Sequence, residues 1–161
     1  ACAGADPRTD LAVDYARVFL SAGVYDGLTA EPYESVFTSE DHLLMQDARD
    51  DVVRRYRRFG VEVDPALHMP EDHLGLELNF VGVLAGRAAE ALRSDDGSRA
   101  RELVEAQRRF LSDHVLNWMD DLIGKVDEFA VLPVYPALMR LARAYASDDV
   151  RLLAEVEEAL R

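Results

Sequence analysis

PEDHLGLELNFVGVLAGRAAEALRS, residues 70–94, decides the fold class. Leu74, Leu78, Val81, Ala85, Ala88 and Leu92 recur three and four residues apart, which is the spacing of one helical face. Pro70 suits a first helical position, where its missing N–H would have had no partner. Glu71 and Asp72 place negative charge in a first turn, where the helix dipole favours it. Ser94-Asp95-Asp96-Gly97-Ser98 ends the run as a turn.

The same periodicity extends in both directions. On the N-terminal side, residues 61–69 form a connector holding Pro65 and ending against Pro70. Before it, Ser39 predicts the cap of a helix with the inner stripe Leu44, Ala48, Val52, Tyr56 and Phe59, stopped by Gly60. Arg54, Arg55, Arg57 and Arg58 surround Tyr56, either as a solvated end offsetting the dipole or as a partner patch. A first helix, capped by Thr9 or Asp10, carries Leu11, Tyr15, Val18 and Phe19 and ends near Gly23. A loop over 24–38 joins these two, with Pro32 and the cluster Tyr33-Glu34-Ser35-Val36-Phe37.

On the C-terminal side a long helix is predicted from Arg99 to Val126, its core face Leu111, Val115, Trp118 and Leu122. Phe129 to Pro133 breaks it. A helix with Leu138, Leu141, Ala142 and Tyr145 follows, then a last one from Ser147 carrying Leu153, Val156 and Leu160. No segment alternates as a strand. The expectation is an all-α, single-domain bundle of about six or seven helices over the whole chain, with a hinge-like connector at 61–70.

Composition narrows the function classes. Eighteen basic against thirty-one acidic residues leave a net charge of −13 over 161 residues. Phosphate backbones and anionic membranes select basic surfaces, so neither nucleic acid nor a membrane surface is an expected partner. The charge serves solubility, or it steers a cationic partner such as a basic peptide. One cysteine, Cys2, leaves no internal disulfide and no Cys-based zinc site. No apolar run approaches the roughly 20 residues of a membrane span. No secretory signal is visible, and the expected compartment is the cytoplasm.

Catalytic signatures are missing from the sequence. It holds no Gly-x-Ser-x-Gly elbow, Walker loop or Gly-x-Gly-x-x-Gly. His73 and Glu77, four apart, share a helical face and could supply two metal ligands, which is half a site. No metal, cofactor or catalytic group is therefore expected. Asp72 either caps the helix start or presents a carboxylate to a ligand, and His73 can donate to a carbonyl or carboxylate beside it. Glu40-Asp41-His42-Leu43 echoes Glu71-Asp72-His73-Leu74, and both are expected to open helices by shared capping chemistry.

Pro70-Glu71-Asp72-His73-Leu74, with Glu77-Leu78-Asn79-Phe80 after it, resembles the signature of the TorD/DmsD-type redox-enzyme maturation chaperones. Asp14 to Leu20 resembles that family's early aromatic-x-x-Leu-Phe helix, with Val18 where leucine is common. Glu31 to Phe37 is similar to its Pro-aromatic-x-Ser-Val loop. Phe110-Leu111-x-x-His114-x-x-x-Trp118, then Val134-Tyr135-Pro136-Ala137-Leu138, resembles its C-terminal helices.

The resemblance implies an all-helical chaperone rather than an enzyme. It would bind the twin-arginine signal peptide and apo-form of a molybdopterin oxidoreductase catalytic subunit, assist cofactor insertion and delay export. Carried over position by position, the signal-peptide-binding residues are Tyr15, Val18, Phe19, Pro32, Tyr33, Asp72 and His73. His114 and Trp118 match a motif expected to be mainly structural. Related chaperones exchange helices between subunits, which makes a homodimer a further expectation, hinged at 61–70. Two other classes stand beside this reading: an acidic helical adaptor for another basic protein, and a weak nucleotide-binding or hydrolytic protein built on Asp72, His73 and Glu77.

Overall fold

The computed structural model describes residues 6–20 and 30–161. Seven α-helices lie among the described residues: α1 Pro7–Phe19, α2 Glu34–Thr38, α3 Asp47–Arg58, α4 Leu74–Arg93, α5 Gly97–Phe110, α6 Met119–Phe129 and α7 Val134–Ala159. A 3₁₀ turn at Pro65–Leu67 and a π turn at Leu111–Val115 complete the order. No strand is formed among them. A single isolated antiparallel bridge joins Tyr33 to His73. The all-α expectation holds.

The core is the seam where α3, α4, α5, the π turn and α6 meet. Phe80, Phe110 and Trp118 are its largest fully buried side chains, with Leu84, Leu103, Leu111 and Leu122 packed around them. Tyr56, Phe80 and Phe110 form a run of ring contacts, with centroids 4.6 Å apart for the first pair and 4.8 Å for the second. The predicted core positions Leu111, Val115, Trp118 and Leu122 are all buried.

Several boundaries differ from the sequence expectation, each for a local reason. α1 is capped by Asp6, not Thr9 or Asp10. Asp6 accepts from the Arg8 N–H and the Thr9 hydroxyl, and Pro7 supplies a preset first turn. α1 ends at Phe19, and Gly23 falls outside the described residues. Ser39 does not open a helix but closes α2. His42 and Met45 have φ of +53° and +60°, so the chain is turned out of any helix until Gln46. Asp41 and Leu44 are exposed there. The echo motif therefore does not repeat the structure of residues 71–74. Gly60, with φ of +61°, is the left-handed stop that the sequence called for.

α4 starts at Leu74, not Pro70. Residues 72–74 are bonded instead to the loop before α2: Glu34 N–H donates to Asp72 O (3.0 Å) and Leu74 N–H to Pro32 O (2.9 Å). The buried face of α4 runs through Leu74, Glu77, Val81, Leu84, Ala88 and Ala91, so Leu92 is exposed. The predicted 99–126 helix is interrupted after Phe110. There the Leu116 N–H reaches back five residues to Leu111 O (2.9 Å), which is the π turn. The two predicted C-terminal helices are one, α7. Its residues Leu138, Leu141 and Tyr145 are exposed, and Ala146 and Leu153 face the core.

A cleft built around the Glu71 to Leu74 turn

The turn ahead of α4 is fixed at every residue. Glu71 takes two hydrogen bonds from the Arg49 guanidinium, at 2.6 and 2.9 Å, and its carbonyl accepts from the Tyr56 hydroxyl (3.1 Å). Asp72 is fully buried. Its Oδ2 accepts from the backbone N–H of Ser35 (2.9 Å) and from the Ser35 hydroxyl (2.5 Å). It thus satisfies the first turn of α2, not of its own helix. Of the two roles expected for Asp72, a cap or a carboxylate presented to a ligand, Oδ2 takes the first, for α2, while Oδ1 is buried without a hydrogen-bond partner among the described residues.

His73 is the N-cap of α4, and its Nδ1 accepts from the Gly75 N–H (3.0 Å). It acts there as an acceptor, not the donor the sequence reading assigned. A Cβ at position 75 would stand 3.2 Å from that nitrogen, so glycine leaves room for the cap. Burial lowers the His73 pKa below its usual value, against an opposing pull from Asp72. The unfolded chain therefore takes up the His73 proton more readily, and this residue's contribution to stability is lost as pH falls below about 6.5. His73→Asn keeps a capping side chain without the titration. It should flatten that part of a melting-temperature against pH curve relative to the unsubstituted protein.

Around this turn the chain opens a cleft of about 240 Å³. Tyr15 and Phe19 of α1, Pro32, His73 with the start of α4, and Tyr135 with Leu138 of α7 line it. Tyr15, Phe19 and Tyr135 form a three-ring cluster with centroids 5.2 to 5.9 Å apart. Tyr33 packs edge-on against His73 at 5.0 Å. Burial, then the Glu31 and Asp72 carboxylates, raise the Tyr33 phenol above its usual range. Of the seven sequence-predicted binding residues, Tyr15, Phe19, Pro32 and His73 line the cleft, and Tyr33 packs on its His73 wall. Val18 does not, being wholly buried in the core on the other face of α1.

Beyond Leu78 and Leu138, which belong to both, the cleft runs on as an apolar groove of about 560 Å³ between α4 and α7. Gly82 and Ala85 form one wall, Leu141 and Tyr145 the other, Leu111 the floor, and Asp149 the far end. From Tyr135 to Asp149 this spans about 21 Å of helix axis.

Sequence reasoning missed Asp14. It is buried, accepts from the N–H groups of Val131 (2.9 Å) and Leu132 (3.0 Å), and pairs with Arg17 at 3.1 Å. This holds the turn before α7 against α1, so Tyr135 reaches Tyr15. The signal was present: Asp14 shares a helical face with Val18, four residues on. His114 and Trp118 lie behind the cleft. His114 Nδ1 bonds Glu34 (3.0 Å), its Nε2 lies 3.0 Å from Asp51, and its carbonyl accepts from the Trp118 indole (2.6 Å). Asn117 completes Glu34 at 2.7 Å, and Trp118 stacks on Phe37.

Among the described residues no group of three or more His, Cys, Asp or Glu could hold a metal ion, and no helix is long and apolar enough to cross a membrane. His73 and Glu77 do not form a ligand pair: the first spends Nδ1 on Gly75 and the second is fully buried.

Residues 1–124 match the family model described as nitrate reductase delta subunit. Among curated proteins, the chain is 32% identical over 151 residues to a Chaperone protein TorD of Vibrio cholerae serotype O1, covering 94% of this chain and 66% of that one. It is 29% identical over 154 residues to the protein of that name from Vibrio parahaemolyticus, covering 93% and 67%. The match to the Photobacterium profundum protein is 28% over 148 residues, covering 92% and 66%. The chain thus spans about two thirds of the length of these relatives. No solved structure matches it. The family match over most of the chain, the relatives' agreement and the motifs joined at the Glu71 to Leu74 turn give one answer: the chain belongs to the TorD/DmsD-type family of redox-enzyme maturation chaperones.

Proposed function

We propose that the chain is a cytoplasmic, non-enzymatic chaperone that takes the twin-arginine signal peptide of a molybdopterin oxidoreductase subunit into this cleft. It holds the apo-subunit while cofactor is inserted and delays export. The observation carrying this reading is the aromatic cleft of Tyr15, Phe19, His73, Tyr135 and Leu138 continuing into an apolar groove, on a molecule of net charge −13. A twin-arginine signal has the complementary chemistry, a basic end joined to an apolar stretch. The groove takes the apolar stretch, and the acidic surface draws in the basic end. Buried Asp72 contributes by fixing the wall through Ser35, not by meeting the guanidinium.

Calorimetric titration with a synthetic twin-arginine signal peptide tests the proposal, with a second peptide whose two arginines are glutamine. The first should bind more tightly by about tenfold or more, and its affinity should fall as salt rises. Equal affinities would point to an apolar adaptor with no twin-arginine preference. A homodimer with helices exchanged at 61–70 belongs to the same reading. Its check is the mass in solution by light scattering.

A further inference from the structure

Glu77 is fully buried in the first turns of α4, and neither carboxyl oxygen receives a hydrogen bond. A buried carboxylate without a donor is among the costliest arrangements a fold can hold. The groups facing it are named by the helices around it. Glu34 comes from α2, Asp72 from the preceding turn and Trp118 from the segment before α6, all acting directly on Glu77. The Tyr56 hydroxyl of α3 feels the same charges, and His114 lies behind Glu34. No cation is among the groups acting on Glu77. The nearby donors are already given elsewhere, the Trp118 indole to His114 O and the Tyr56 hydroxyl to Glu71 O. Glu34 lies within hydrogen-bonding reach, and its two oxygens hold His114 and Asn117.

A neutral carboxylic acid resolves this arrangement. It carries a donor, and Glu34 is an acceptor in reach with lone pairs to spare. We propose that Glu77 keeps its proton at neutral pH and donates it to Glu34, making Glu77 the positioning residue that ties α4 to α2. Through that tie it sets the Pro32–Tyr33 wall against His73. Burial, then the charges of Glu34 and Asp72, act in the same direction by pushing the Glu77 pKa well above its ordinary 4.5. Because the folded state keeps a proton that the unfolded chain releases, this tie's contribution is complete below 4.5 and is lost as pH rises toward the native pKa.

The test needs no ligand, so its outcome is independent of the peptide-binding proposal. Infrared difference spectra of the unsubstituted protein against Glu77→Gln, near neutral pH, should show loss of one protonated-carboxyl carbonyl band. Glutamine keeps a permanent donor, so the melting temperature of Glu77→Gln relative to the unsubstituted protein should climb by about 3–5 °C per pH unit above the ordinary carboxylate range. If Glu77→Gln fails to fold, an infrared pH titration of the unsubstituted protein and of Glu34→Gln decides instead. The protonated band should persist past neutrality in the first and vanish at lower pH in the second. Tyr33 ring signals in NMR should follow the same titration. Absence of a protonated band at neutral pH would overturn the proposal, and Tyr33 signals indifferent to it would overturn the positioning role.

Discussion

Asp72→Ala should lower the melting temperature by about 6–20 °C, one of the largest effects expected of any single polar substitution in this chain. Both Ser35 donors lose their acceptor inside the protein, and hydrogen bonds to a buried charge contribute about 1.5–3 kcal/mol each. The net loss is about 3–5 kcal/mol, within the range for breaking a buried charged contact. Asp72→Asn keeps one acceptor oxygen and should recover part of the difference. Asp41→Ala, in the exposed echo motif, should stay within about 0.5 kcal/mol of the unsubstituted protein. Thermal melts of the three variants side by side are the check. Equal melts for Asp72→Ala and Asp41→Ala would mean that the Ser35 bonds carry no weight.

Leu138→Glu should do the reverse, leaving the fold intact and removing peptide binding. Leu138 is half exposed and lies where cleft and groove meet. In the free protein a glutamate there stays in water, so the melt should shift by no more than about 0.5 kcal/mol. Once an apolar segment covers it, the same carboxylate is desolvated without a partner. Loss of the leucine contact adds about 1.5–3 kcal/mol if fully buried. Affinity for the twin-arginine peptide should drop at least about 30-fold, which corresponds to about 2 kcal/mol. Leu152→Glu is the companion variant: equally exposed on α7, outside both cavities, and expected to bind normally. A Leu138→Glu variant binding like the unsubstituted protein would move the site off this cleft.

The fold class was legible because helical periodicity is a local property, and it survives in nearly every segment. Boundaries were less legible where a residue's partner is distant. Nothing near Pro70 says that residues 72–74 bond to Pro32 and Glu34, yet those bonds delay α4 to Leu74. Asp72 reads as a cap, and it is one, for a helix starting 38 positions earlier (72 − 34). The stripe of α4 was read correctly at Leu74, Val81 and Ala88 and rotated to one side at Leu78, Ala85 and Leu92, because Glu77, a charged residue, interrupts the buried positions. On α7 the periodicity of Leu138, Leu141 and Tyr145 is real, but periodicity cannot say whether a face meets the core or a groove. The candidate residues were found through motifs, and the structure gives most of them a common cleft. Tyr15, with Asp14 behind it, needed the fold to show how α1 and α7 meet.

The cleft walls come from positions 15, 19, 32, 73, 135 and 138, so its rim is closed by residues more than a hundred apart along the chain. During synthesis that rim cannot close until the start of α7 has left the ribosome and docked against Asp14. The order of assembly is thereby imposed by topology: the complete cleft comes after the helices it spans. Because the closing contacts are a pair of backbone amides on one carboxylate, the Tyr135 hydroxyl on Leu11 O and one ring cluster, opening around residues 131–135 would dissolve the cleft while the α4–α5 core stays folded. Access to the cleft is then set by local opening where α1 meets the start of α7 rather than by unfolding of the whole molecule.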